Sequence, residues 1–319
     1  MKNNLDNMEI NKTIDEKKFP RTDLAVELKE NVRIGTKKIE GIHYNENKKA
    51  HDIKVTTVII EDENAMKIMH KPVGTYITIE TKCLDEDVAE VRDSLIKEIA
   101  VNIEKVSKGF KDKSILIVGL GNKDITPDKL GPMVVDNLYI TRHLFLDKEE
   151  CFNDNKNKMP IVSALSPGVM AQTGMETSEI VASVVKKTKP DLVIAVDALA
   201  ARSLGRLINT IQIADTGITP GSGVGNHRNA ITYETVGVPV VAIGVPTVVD
   251  ATTIVKDTMT KYLNTWDFEI EEINAFVNEI EIESGTGLIV TPKNIDEQIK
   301  LISFAVAEAI NMCIGEVDN

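Results

Sequence analysis

The sequence predicts an α/β protein in which a mostly parallel central sheet is flanked by helices, with an added mixed α/β region at the amino terminus. Two continuous apolar runs, 114–119 and 191–197, are each followed by a turn signal, as strands covered on both faces of a parallel sheet are. Stretches with helical spacing alternate with such runs between about 113 and 264, and this alternation implies right-handed crossovers. At 319 residues the chain can bury a large core as one α/β domain or as a main domain with additions.

Taken in order, residues 1 to about 20 are polar, rich in Asn and Lys, and have little to pack, which predicts a mobile tail. Strands are expected at 51–60 and 75–80, the second alternating with period two, and a helix at 87–106 with Val88, Val91, Ile96, Ile99 and Ile103 near helical spacing. The core then offers strands at 114–119, 161–165, 191–197, 208–213 and 238–244, with helices near 128–147, 178–188 and 250–264. Two helices close the chain. Ile273, Phe276, Val277 and Ile280 stripe the first, and Ile295, Ile299, Ile302, Val306 and Ile310 the second, with Thr291-Pro292 between them.

Composition excludes several classes. A formal charge of -12 argues against nucleic acid or an anionic membrane as the main partner, since both need a basic footprint. Cys83, Cys151 and Cys313 are odd in number and widely spaced, so they read as reduced thiols of a cytosolic protein. Lys2, Asp6, Glu9 and Lys12 stand where a signal peptide needs an apolar run, and no stretch reaches transmembrane length. His143 and His227 are the only histidines of the core, in no zinc-protease spacing, and no serine sits in a Gly-x-Ser-x-Gly elbow. No cofactor and no metal are expected.

Asp128 follows the first apolar run after a glycine turn, and Asp197 closes the second. In open α/β sheets the reactive crevice lies outside the carboxyl ends of the strands, so two carboxylates there suggest acid/base chemistry on a water. Asp128 also has a plain reading, as a first-turn acid after Thr126 at the cap and Pro127 at the first helical position. Asp197 is harder to dismiss, because an ionisable group closing an apolar run is costly unless paired or shifted in pKa. Gly119-x-Gly121 invites a dinucleotide reading, but Asp124 occupies the place of the third glycine. The stretch 217–225 holds Gly217, Gly221, Gly223 and Gly225, either as an irregular loop or as one against which an extended peptide lies.

Taken together, several motifs resemble the germination protease of endospore-forming bacteria. They include Arg21-Thr22-Asp23-Leu24-Ala25-Val26-Glu27, Gly119-Leu120-Gly121-Asn122, Thr126-Pro127-Asp128, Val196-Asp197-Ala198, the 220–226 loop and Val245-Pro246-Thr247, in a series running over about residues 21 to 314. The resemblance implies an atypical aspartic endopeptidase that degrades small acid-soluble spore proteins in the developing forespore and spore core, similar in core to the hydrogenase-maturation peptidases. It puts the catalytic carboxylates at Asp128 and Asp197. Two such carboxyls close together cannot both ionise, so one keeps a proton while the other activates the water.

The resemblance also implies a zymogen that shortens itself. Thr22-Asp23-Leu24-Ala25 is similar to the Thr-Glu-Ile-Ala site of the spore proteins, which places the cut between Asp23 and Leu24. The chain then divides into a prosegment (1–23), a mixed α/β region (24–112) and a catalytic core with carboxy-terminal helices (113–319). The prosegment carries five basic and five acidic side chains, so occlusion rather than charge repulsion is the expected inhibition. Against the family pattern the prosegment is longer and the 255–287 segment shorter, which bears on the homotetramer that relatives form. Substrate contacts are expected from Arg202, with Arg206 and Arg228 behind it, and from Gly221, Gly223, Gly225 and Asn122; Arg202 has as its other reading a pairing with a neighbouring carboxylate that holds its loop. Two other readings remain: a metal-dependent maturation peptidase using His227, and a non-catalytic nucleotide-binding module.

Overall fold

The computed structural model describes residues 22–32, 39–81, 89–147, 159–221, 228–266, 270–278 and 288–315. Its elements in chain order begin with α1 (Ala25–Val32), β1 (Ile42–Lys48), β2 (Lys54–Ile60), α2 (Glu63–Met69), β3 (Gly74–Glu80) and α3 (Ala89–Ser107). The core brings β4 (Ser114–Gly119), α4 (Leu130–Val135), α5 (Arg142–Asp147), β5 (Ile161–Leu165), α6 (Met170–Thr173), α7 (Thr177–Thr188), β6 (Leu192–Ala201) and β7 (Thr210–Ala214). It closes with α8 (Tyr233–Val236), β8 (Val240–Asp250), α9 (Ala251–Leu263), α10 (Ile270–Asn278), β9 (Ile289–Val290) and α11 (Ile295–Ile314).

One sheet runs through the molecule in the order β1-β2-β3-β7-β8-β6-β4-β5, with β9 paired to the end of β8. The block β8-β6-β4-β5 is parallel, whereas β1, β2, β3 and β7 join it through antiparallel pairs. The α/β class therefore holds, in a mixed sheet whose parallel part is the predicted core. The amino-terminal meander continues the same sheet, because β3 pairs with β7 over Tyr76–Glu80.

Both faces of the parallel block are covered, which is why its strands read as unbroken apolar runs. Ile115 and Ile117 of β4 pack with α3 and α11, while Leu116 and Val118 pack with Val181 and Val185 of α7. Alternate side chains of one strand thus serve opposite layers.

β6 continues to Ala201, past the expected 197, so Asp197 lies within the strand and does not close it; two further boundaries differ for local reasons. The helix expected over 128–147 is a 3₁₀ turn at Thr126–Asp128, then α4 and α5 separated by an irregular link. Here Gly131 lies so close to the sheet that a Cβ on it would meet the Leu120 amide nitrogen at 2.4 Å and the Val196 carbonyl at 2.5 Å. Strand β8 runs to Asp250, well past the expected 244, through a register shift in which Leu199 pairs with Pro246 but Ala200 with Val248. Proline has no N–H to donate, and a bulge accommodates it.

β1 and α1 escaped sequence reasoning. β1 is an edge strand with only its first residues partly covered, so it carries no apolar run. α1 and the residue before it are buried on two sides: Ala25 and Leu28 pack with Val58, Ile60 and Tyr76, while Leu24 and Val26 pack with Leu199, Leu207 and Val249.

Candidate active site

Asp128 and Asp197 arrive from neighbouring strands and line one cavity of about 100 Å³, together with Gly121, Met170, Gly221 and Arg228. Asp197 stands on β6 and is only 4% exposed. Its Oδ1 accepts the N–H of Ala198 at 2.9 Å. Asp128 ends the 3₁₀ turn that follows β4, and its Oδ2 accepts the N–H of Asn122 at 2.8 Å. Asn122 is thereby a support for Asp128, and its own Oδ1 accepts from Gln172 Nε2 at 2.8 Å.

Glycines bring the two elements together. A Cβ on Gly119 would fall 2.2 Å from the Gly131 carbonyl oxygen, so the end of β4 and the start of α4 touch backbone to backbone. This seats the 3₁₀ turn against the strand ends, where Thr247 donates its hydroxyl to the Pro127 carbonyl at 2.7 Å.

Burial pushes the Asp197 carboxyl well above the usual carboxylate range, and the charges of Asp128 and then Asp23 push the same way. Asp128 is also raised by burial, against which the Asn122 N–H works. Both shifts favour a proton on the pair, and the case is stronger at Asp197.

A second cavity, of about 160 Å³, shares Asp197 and Gly221 with the first and is also lined by Asp23, Lys71, Tyr76 and Gln212. Asp23 is 8% exposed and Leu24 fully buried. The Asp23 N–H donates to the Ala200 carbonyl, and its Oδ2 accepts the Ala200 N–H, both at 2.9 Å. Gln212 donates from Nε2 to the Asp23 carbonyl at 3.0 Å and accepts the Ala25 N–H at 2.7 Å. The segment expected to be cut is therefore held by main-chain and amide bonds beside Asp197. Glu27, 1% exposed, anchors the helix behind it, accepting from the N–H groups of Arg202 at 2.7 Å and Ser203 at 3.0 Å.

The expected cations divide among different partners. Arg202 lines neither cavity, and its Nε donates to Asp257 at 2.8 Å. Arg206 is enclosed by Glu27, Glu30 and Glu80. Arg228 lines the first cavity, 3.6 Å from Glu176. Gly223, Gly225 and His227 lie outside the described residues. Among the described residues no group of three or more His, Cys, Asp or Glu side chains could hold a metal ion, and no helix is long and apolar enough to cross a membrane.

Sequence reasoning missed Lys71 and Gln212. Gln212 had a signal, a polar amide within the apolar strand Ile211-Gln212-Ile213, of the same kind that singled out Asp197. Lys71 had none, since it sits in the turn between α2 and β3 and reaches the site only through the antiparallel pairing.

The family model described as germination protease matches residues 20–284. A germination protease of Caldanaerobacter subterraneus subsp. tengcongensis is 44% identical over 310 residues, covering 92% of this chain and 94% of its own. One from Clostridium perfringens is 41% identical over the same shares, and one from Bacillus velezensis is 48% identical over 79% of this chain and 69% of its own. A hydrogenase maturation protease from Thermococcus kodakarensis overlaps 67% of this chain and 99% of its own at TM-score 0.34 and 22% identity, too loose a likeness to carry weight. Most of the chain is shared with these relatives, and it belongs to the germination protease family, as a peptidase.

Proposed function

We propose that the chain is a self-processing aspartic endopeptidase of the developing forespore and spore core that initiates degradation of small acid-soluble spore proteins during germination. The observation that carries this reading is the convergence of Asp128, Asp197 and Asp23 on adjoining cavities that share Asp197. Asp197 keeps the proton, because burial and two neighbouring carboxylates all disfavour its charge. Asp128, half-buried and steadied by the Asn122 N–H, is the base that takes a proton from the attacking water. The water oxygen then bonds to the carbonyl carbon while Asp197 donates its proton to the carbonyl oxygen. Collapse of the tetrahedral intermediate breaks the C–N bond as Asp128 passes the water's proton to the leaving amine and a hydroxyl of the intermediate returns a proton to Asp197, giving one new carboxyl and one new amino terminus. Apparent pKa values belong to the pair.

Self-processing between Asp23 and Leu24 is supported by Asp23 lining the same cavity as Asp197. A homotetramer, carried over from the resemblance, is supported by exposed apolar side chains at Val255, Tyr262, Trp266, Phe276 and Leu288, and sizing by light scattering measures it. The deciding experiment incubates the purified full chain with a peptide containing Thr-Glu-Ile-Ala and maps products by mass. A cut between Glu and Ile, and appearance of a chain beginning at Leu24, are expected. Intact peptide after the amino-terminal segment has demonstrably been lost would refute the reading.

A further inference from the structure

The larger cavity holds Gln212 and Lys71, neither of which exchanges a proton in the two-carboxylate chemistry. Gln212, 8% exposed, grips the segment at both ends of its amide, on the Asp23 carbonyl and the Ala25 N–H. Lys71 lines the same cavity as Asp23, Gln212 and Asp197. Its turn is pinned where the Tyr76 hydroxyl donates to the Pro72 carbonyl at 2.8 Å.

An acidic side chain entering this cavity is desolvated within a chain of formal charge -12, so it needs a local cation. Arg202 is engaged by Asp257, Arg206 by three glutamates, and Arg228 lines the other cavity. Burial lowers the Lys71 ammonium and the Asp23 carboxylate opposes that; the residue as a whole is half-buried.

We infer that the 160 Å³ cavity is the subsite for the acidic residue preceding the scissile bond, with Lys71 as the cation that reads its carboxylate and Gln212 as the donor that holds its carbonyl. The inference rests on the proposed peptidase reading and the cut after Asp23. It gives the antiparallel extension a role, since the turn between α2 and β3 supplies specificity to a centre built by the parallel strands.

The test compares kcat/KM of the processed enzyme on two peptides that differ only in Glu or Gln before the cut, for wild type, Lys71→Met and Lys71→Arg. Wild type should prefer Glu. Lys71→Met should reduce the Glu-to-Gln ratio at least tenfold, mainly through KM, and Lys71→Arg should restore part of it. In the full chain, Asp23→Asn should slow self-processing, and adding Lys71→Met should slow it little further. If wild type cleaves neither peptide, the peptidase reading itself fails. If it cleaves them equally, or if Lys71→Met loses activity on both in proportion, the peptidase reading stands and the subsite is wrong.

Discussion

Asp23 takes the place along β6 that β4 gives up. Leu120, just past β4, donates its N–H to the Val196 carbonyl at 2.8 Å, and four residues further along β6 the Asp23 N–H donates to the Ala200 carbonyl at 2.9 Å. The Ala200 N–H returns the bond to the Asp23 carboxylate. A peptide held in this way gains its alignment from main-chain bonds at a strand edge and its selectivity from the pockets around them.

Replacing Asp128 or Asp197 by Asn keeps the volume and removes one titrating group. Each change alone should abolish both peptide cleavage and the appearance of a chain beginning at Leu24, with an unaltered circular-dichroism spectrum. Wild-type turnover in either variant would return that aspartate to a structural role.

The same pair sets a pH dependence of stability. The folded carboxyl of Asp197 titrates above its unfolded value, so the folded state holds the extra proton. Its stabilising effect is complete below the unfolded value near 3.8 and is lost as pH rises toward the folded value, at up to about 1.4 kcal/mol per pH unit for one proton. Melting temperatures of Asp197→Asn should therefore gain on wild type as pH rises from below 4 toward neutrality. A constant difference across that range would show that Asp197 is not shifted.

Gln212→Glu preserves the acceptor for the Ala25 N–H but loses the donor to the Asp23 carbonyl. Loss of one preorganised donor to a developing oxyanion typically costs about 10²–10³ in kcat, and the self-processing rate should fall accordingly. Gln212→Ala should add a stability loss of roughly 1–3 kcal/mol from the buried N–H left without a partner. Processing at the wild-type rate in Gln212→Glu would remove the amide from the chemistry.

Gly131→Ala tests the backbone contact that seats Asp128. The new Cβ would come within 2.4 Å of the Leu120 backbone, so α4 must shift away from the strand ends at a cost of about 1–3 kcal/mol or more. Activity should fall further than the melting temperature alone explains, because the 3₁₀ turn carrying Asp128 moves with α4. Full activity with a lowered melting temperature would show that the turn is held independently.

The parallel core and the buried position of Asp197 were legible in the sequence because burial leaves a local mark, whereas Asp128 read equally well as a first-turn acid. The runs 114–119 and 161–165 match β4 and β5 residue for residue, and an acid at the end of such a run is conspicuous wherever the strand lies. Composition and period could not show how the antiparallel strands join the core, because β1 is exposed and polar and the β3 to β7 pairing spans more than a hundred residues. Helix periodicity likewise did not reveal the break after Asp128, which depends on Gly131 lying against Leu120 and Val196. Arg202 was singled out by nearness in sequence to Asp197, either to read the substrate's acid or to pair with a neighbouring carboxylate; the fold pairs it with Asp257 and brings Lys71 to the cavity. Which cation meets which carboxylate is decided by strand pairing between distant segments, and that information exists only once the chain has closed on itself.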